Sequence, residues 1–83
     1  SNLASALNDL GRHVEAAAIC EDALNTKPDL AAARANLANA MLGLGKHEKA
    51  VENYRLALAG DPGNASAWFS MGNALFEMGR GED

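Results

Sequence analysis

Basic residues are scarce: seven of 83 positions are Lys or Arg, against eleven Asp or Glu, and no basic block interrupts the chain. A formal charge of −4 argues against nucleic acid or an anionic membrane surface as a partner, since both recruit clustered cations. The single cysteine, Cys20, excludes an intrachain disulfide framework and a multi-cysteine zinc site, and it fits a reducing compartment. Apolar runs are short. The stretch from Ala16 to Cys20 falls far below the roughly 20 residues that span a bilayer, so no membrane insertion is expected. No charged leader followed by an apolar stretch opens the chain, which points to a cytoplasmic location, and the abrupt start suggests a missing upstream segment. Aromatics make up only 5% of the residues, whereas alanine fills 18 of 83 positions and hydrophobic residues 48%. Such a chain is too apolar for disorder, and its small side chains favour closely packed helices over a strand-built core. Its length allows one small domain, able to bury roughly 60% of its unfolded surface.

The chain repeats. Shifted by 34 residues against itself, it aligns 49 pairs, of which 17 are identical, where about 5 are expected from this composition. The matches fall where structure demands them: Gly11, Gly45 and Gly79; Pro28 and Pro62; Ala16 and Ala50; Ala23 and Ala57; Leu24 and Leu58. Each period holds two helical stripes. Leu37, Met41 and Leu44 recur at offsets of four and three, and Gly45 breaks the pattern. Ala50, Val51, Tyr54, Ala57 and Leu58 then form a second face that ends near Gly60 and Pro62. The spacing predicts helices over about 1–10, 13–26, 30–44, 47–60 and 64–79. Asp29 and Asn64 are the expected N-caps, Gly11, Gly45 and Gly79 the expected helix ends, and the residues from Gly81 onward a loose tail. Loops of two to four residues make neighbouring helices antiparallel.

Leu37, Ala38, Met41, Gly45, Ala50, Tyr54, Ala57 and Pro62 together resemble the signature of the tetratricopeptide repeat. The preceding copy is similar to it through Leu3, Ala4, Leu7, Gly11, Ala16, Cys20, Ala23 and Pro28, with Cys20 in place of the usual aromatic. The following copy is similar through Trp68, Met71, Gly72, Leu75 and Gly79. The resemblance implies an all-α solenoid of antiparallel helix pairs wound into a right-handed superhelix. Residues 1–29 are then a partial first repeat, 30–63 a full repeat, and 64–83 the first helix of a third, all in one domain. One apolar side of that last helix lacks a following partner, so homo-oligomerisation through it is one expectation.

The resemblance also implies a function. In the family, first helices line a concave surface that commonly binds peptides or protein segments. Asn2, Asn36 and Ser70 are related by the 34-residue period, as are Ser5, Asn39 and Asn73, and the two rows share a face because they are offset by three residues. Asn carries both a donor and an acceptor, matching the amides of an extended backbone. These rows are similar to the asparagine ladder in the repeats of the O-GlcNAc transferases, where such residues hold a bound chain. Asn2, Asn36, Asn39 and Asn73 fit that ladder; Ser5 and Ser70 depart from it. Solvent exposure or contacts between repeats are the alternative role for the same rows. A carboxylate clamp on a peptide C-terminus is disfavoured, since Arg34 is the one candidate cation in the first helices. Trp68 and Phe69 are adjacent, so one is expected to pack on the preceding pair and the other to lie exposed. Phe76 is expected to cover the open end.

Catalysis has little support. His13 and His47 recur 34 residues apart at the starts of second helices, with no metal-ligand spacing around them. Cys20 lies on an apolar face, and neither a nucleophile triad nor a phosphate loop is present. No cofactor or metal is expected. The leading expectation is a protein- or peptide-binding repeat module. A self-assembly module, and the substrate-recognition part of a larger enzyme such as a glycosyltransferase, are its rivals.

Overall fold

The computed structural model describes residues 2–81. They form five helices: α1 (Asn2–Asp9), α2 (His13–Thr26), α3 (Ala31–Gly43), α4 (His47–Gly60) and α5 (Ala65–Gly81). Each helix packs on the next, and α3 additionally touches α1 and α5. Among the described residues α2 and α4 make no contact. The first helices therefore meet across repeats, α1 on α3 and α3 on α5, whereas the second helices α2 and α4 stay apart. The core runs along the stack through small residues. Ala4, Ala16, Ala38, Ala40 and Ala50 have no exposed surface, and Tyr54 and Cys20 are its largest fully buried side chains. Alanine at these crossings lets backbones approach closely, and Leu24, Leu37, Met41 and Leu58 fill the wider spaces between them.

The period seen in the residues is reproduced in the backbone. Gly11 and Gly45 have φ of 80° and 79°. Gly11 N–H donates to the Asn8 carbonyl at 3.0 Å, and Gly45 N–H to that of Leu42 at 3.1 Å. Arg12 and Lys46 then reach back to Leu7 and Met41, each at 2.8 Å. This paired closure in the left-handed region satisfies the carbonyls left free at the end of a first helix. His13 and His47 begin the second helices, as their spacing implied.

Two boundaries differ from expectation and one agrees. Asp29 is not a cap: Leu30 takes that position, without a side-chain hydrogen bond to the helix. Asn64 does cap, its Oδ1 accepting from the Ala67 N–H at 3.1 Å. Gly79 does not end α5, which continues to Gly81, so Gly81 belongs to a helix rather than a tail. At Gly11 and Gly45 a second helix follows and holds the reversed turn. At Gly79 the intrahelical hydrogen bonds continue instead. Glu82 and Asp83 lie outside the described residues.

The end of the stack also differs. Trp68 and Phe69 are both exposed, by 52% and 72%. Instead of packing on the preceding pair, Trp68 turns back along its own helix start, where its indole N–H donates to the Pro62 carbonyl at 2.9 Å. Phe76 is exposed as well.

Candidate peptide-binding face

Ser5, Asn39 and Asn73 occupy the same place in successive first helices, and all three side chains are exposed. Asn36 and Ser70, three residues earlier in α3 and α5, are half-buried. Asn2 starts α1, and its side chain lies outside the described residues. Because α3 touches both α1 and α5, these positions run along the first helices from repeat to repeat.

Hydrogen bonds tie these helices together. Asn8 Nδ2 donates to the Asn36 carbonyl at 3.0 Å, joining α1 to α3. Asn8 Oδ1 lies 3.0 Å from His13 Nδ1; with the Asn8 amide nitrogen engaged, its oxygen is the acceptor and His13 Nδ1 carries the proton. The His13 ring in turn lies against Gly43, where a β-carbon would collide with it. His13 is therefore a joint between α1, α2 and α3. Further along, the Tyr54 hydroxyl of α4 donates to Oδ1 of Asn39. Burial pushes the Tyr54 pKa up, and a hydrogen bond with the Ser70 side chain partly opposes that shift. Asn39 and Ser70, one from each expected row, thus meet at a single buried phenol.

The remaining chemistry is sparse. Burial pushes the Cys20 thiol up, so at neutral pH the sulfur is not the thiolate a nucleophile requires. Among the described residues, no group of three His, Cys, Asp or Glu side chains could hold a metal ion. No helix of the described residues is long and apolar enough to cross a membrane.

Comparison with known families accounts for this architecture. A family model described as a tetratricopeptide repeat matches residues 7–52, more than half of the chain. The chain belongs to the tetratricopeptide-repeat family. A second model, described as a TPR repeat, matches residues 42–79 and extends the assignment into the third copy. A search of curated proteins finds no match. Tetratricopeptide repeats generally mediate protein–protein interaction.

Within this tetratricopeptide-repeat chain, Arg34 stands apart from the Asn rows. Its guanidinium lies 3.3 Å from Asn53 Oδ1 and 3.4 Å from the Pro28 carbonyl. Arg34 also lines a crevice of about 310 Å³ with Glu21, Lys49 and Glu52, between the second helices. A larger crevice of about 560 Å³, lined by Val51, Leu56, Leu75 and Met78 among others, opens between α4 and α5. The Asn positions line neither of them and present an open strip instead. Tyr54 and Asn8 are the polar residues that sequence reasoning overlooked. Tyr54 read as an apolar filler, although a phenol destined for the core needs a hydrogen-bond partner. That requirement was the available signal. Asn8 gave none, since its counterpart at the same repeat position is Leu42.

Proposed function

We propose that this chain is a protein-interaction module that binds an extended peptide or protein segment along the concave strip of its first helices. The observation that carries this reading is the exposed row of Ser5, Asn39 and Asn73, flanked by half-buried Asn36 and Ser70. Asn2 is included as the start of the second row. Carboxamides at a fixed repeat spacing suit the backbone amides of an extended segment, whatever its side chains. An open strip suits such a segment better than a small molecule, which needs an enclosing pocket. The likeness of these rows to the ladder of the O-GlcNAc transferases supports the same mode of binding. It also raises the reading that the chain is the substrate-selecting part of a larger glycosyltransferase. We assign the chain itself no catalytic role and no cofactor. Its charge disfavours nucleic acid as a partner, and the lone buried thiol suits the reducing cytoplasm.

The test uses a peptide selected on the wild-type protein from a random display library. Asn36→Ala combined with Asn73→Ala should weaken that peptide by at least about fivefold, since each lost amide pair costs about 0.5–1.5 kcal/mol. Asn39 is left intact because it accepts the Tyr54 hydroxyl. Unchanged affinity, with circular dichroism showing a folded variant, would place the binding surface elsewhere.

Self-assembly through α5 is the second reading. Leu75 is 42% exposed, whereas Met41, at the same repeat position in α3, is 8% exposed because α4 covers it.

A further inference from the structure

The Tyr54 ring is 1% exposed, and its hydroxyl donates to Oδ1 of Asn39. Asn39 itself is exposed. A carboxamide has one oxygen that accepts and one NH₂ that donates, and the two ends are chemically opposite. Holding the oxygen on a buried phenol therefore leaves the NH₂ at the exposed end. We propose that the Tyr54 hydroxyl is a positioning group that locks Asn39 as an outward-facing N–H donor, so that this place on the strip selects a backbone carbonyl oxygen of the bound segment. The inference rests on the peptide-binding reading above and gives that site a polarity.

Three observations support the lock. The bond joins α4 to α3, and the Ser70 side chain of α5 acts on the same phenol, opposing the rise in its pKa. Burial keeps the phenol protonated well past neutral pH, and a protonated phenol is what the donated bond requires. In the preceding repeat the corresponding residues are Ser5, Cys20 and Asn36. Cys20 is as deeply buried as Tyr54, yet its thiol is a poor donor. Ser5, the counterpart of Asn39, carries a hydroxyl that rotates to donate or accept. The lock is thus confined to the second pair, and the strip differs chemically along its length.

The decisive variants are Asn39→Asp and Asn39→Ala. Aspartate keeps an oxygen for Tyr54 but replaces the outward NH₂ with a second oxygen, which repels a carbonyl. Alanine removes both. Stability should then fall in the order wild type, Asp, Ala, whereas affinity for the library-selected peptide should fall in the order wild type, Ala, Asp. The Asp variant should bind at least about tenfold more weakly than wild type. A purely structural role for the bond makes the two orders the same, so Asp binding as tightly as Ala or more tightly overturns the proposal. Tyr54→Phe gives a readout that needs no ligand: the Asn39 side-chain NH₂ resonances should shift by far more than those of Asn73. Resonances that stay in place also overturn it. The two levels remain separable. If Asn36→Ala with Asn73→Ala weakens the peptide while Asn39→Asp does not, the binding reading stands and the lock fails. If all these variants bind like wild type, the binding reading fails with it.

Discussion

At Gly43 the absence of a side chain has a specific cause. The His13 ring occupies the space a β-carbon would take, and the same ring is held by Asn8, whose amide also bonds the Asn36 carbonyl. Replacing a helical Gly by Ala ordinarily gains about 0.5–1 kcal/mol. Here that gain is offset, because the ring must leave Asn8 and a part-buried hydrogen bond is lost. Gly43→Ala should therefore stabilise a His13→Ala background by about 0.5–1 kcal/mol while giving no gain in the wild type. Urea denaturation of the four proteins in this cycle measures the coupling. A gain of equal size in both backgrounds would show that the ring is not held there. Tyr54 and Cys20, alike in repeat position and burial, differ in consequence: only one carries a hydroxyl that must be satisfied.

Helix ends show how one residue type takes opposite roles at equivalent positions. Gly11 and Gly45 lie at φ near 80° with open space around the missing side chain. The cost of a substitution there is conformational, about 1–2 kcal/mol for an L-residue forced into the left-handed region. Gly79 aligns with them in sequence but lies within α5, where Ala is the better helix former by about 0.5–1 kcal/mol. Gly45→Ala should thus destabilise the protein and Gly79→Ala should stabilise it slightly. Thermal denaturation followed by circular dichroism gives both signs. Two shifts of the same sign would mean that Gly79 also ends its helix in the left-handed region.

Across the whole molecule α5 differs from α3. Helix α3 is covered by α2 and α4 and touched by α1 and α5, whereas α5 keeps Trp68, Phe69, Leu75 and Phe76 exposed. Exposed apolar surface of this kind is where a second copy would gain most from burial. If self-assembly through α5 operates, sedimentation at tens of micromolar should show species heavier than a monomer, and Phe69→Glu should abolish them by placing a charge on the contact. A wild-type monomer at every concentration would overturn self-assembly through α5.

The residues themselves were sufficient for the repeat, its two helices per period, the positive-φ glycines at 11 and 45, and the alanine crossings. Each of these is a local preference repeated at a fixed spacing, so it survives without knowledge of distant partners. The rows of Asn and Ser were legible for the same reason, since positions 34 residues apart fall on equivalent faces of successive first helices. What those side chains touch was not legible. Asn39 meets Tyr54 from 15 residues away, Asn8 meets the Asn36 carbonyl from 28 away, and His13 meets Gly43 from a different helix pair. Likewise Gly79 and Trp68 obey the repeat in sequence but not in conformation, because the behaviour of a repeat position depends on the helix packed beside it. Tertiary structure decided these points, because a hydrogen bond between helices depends on the register of their packing, which the period of either helix does not contain.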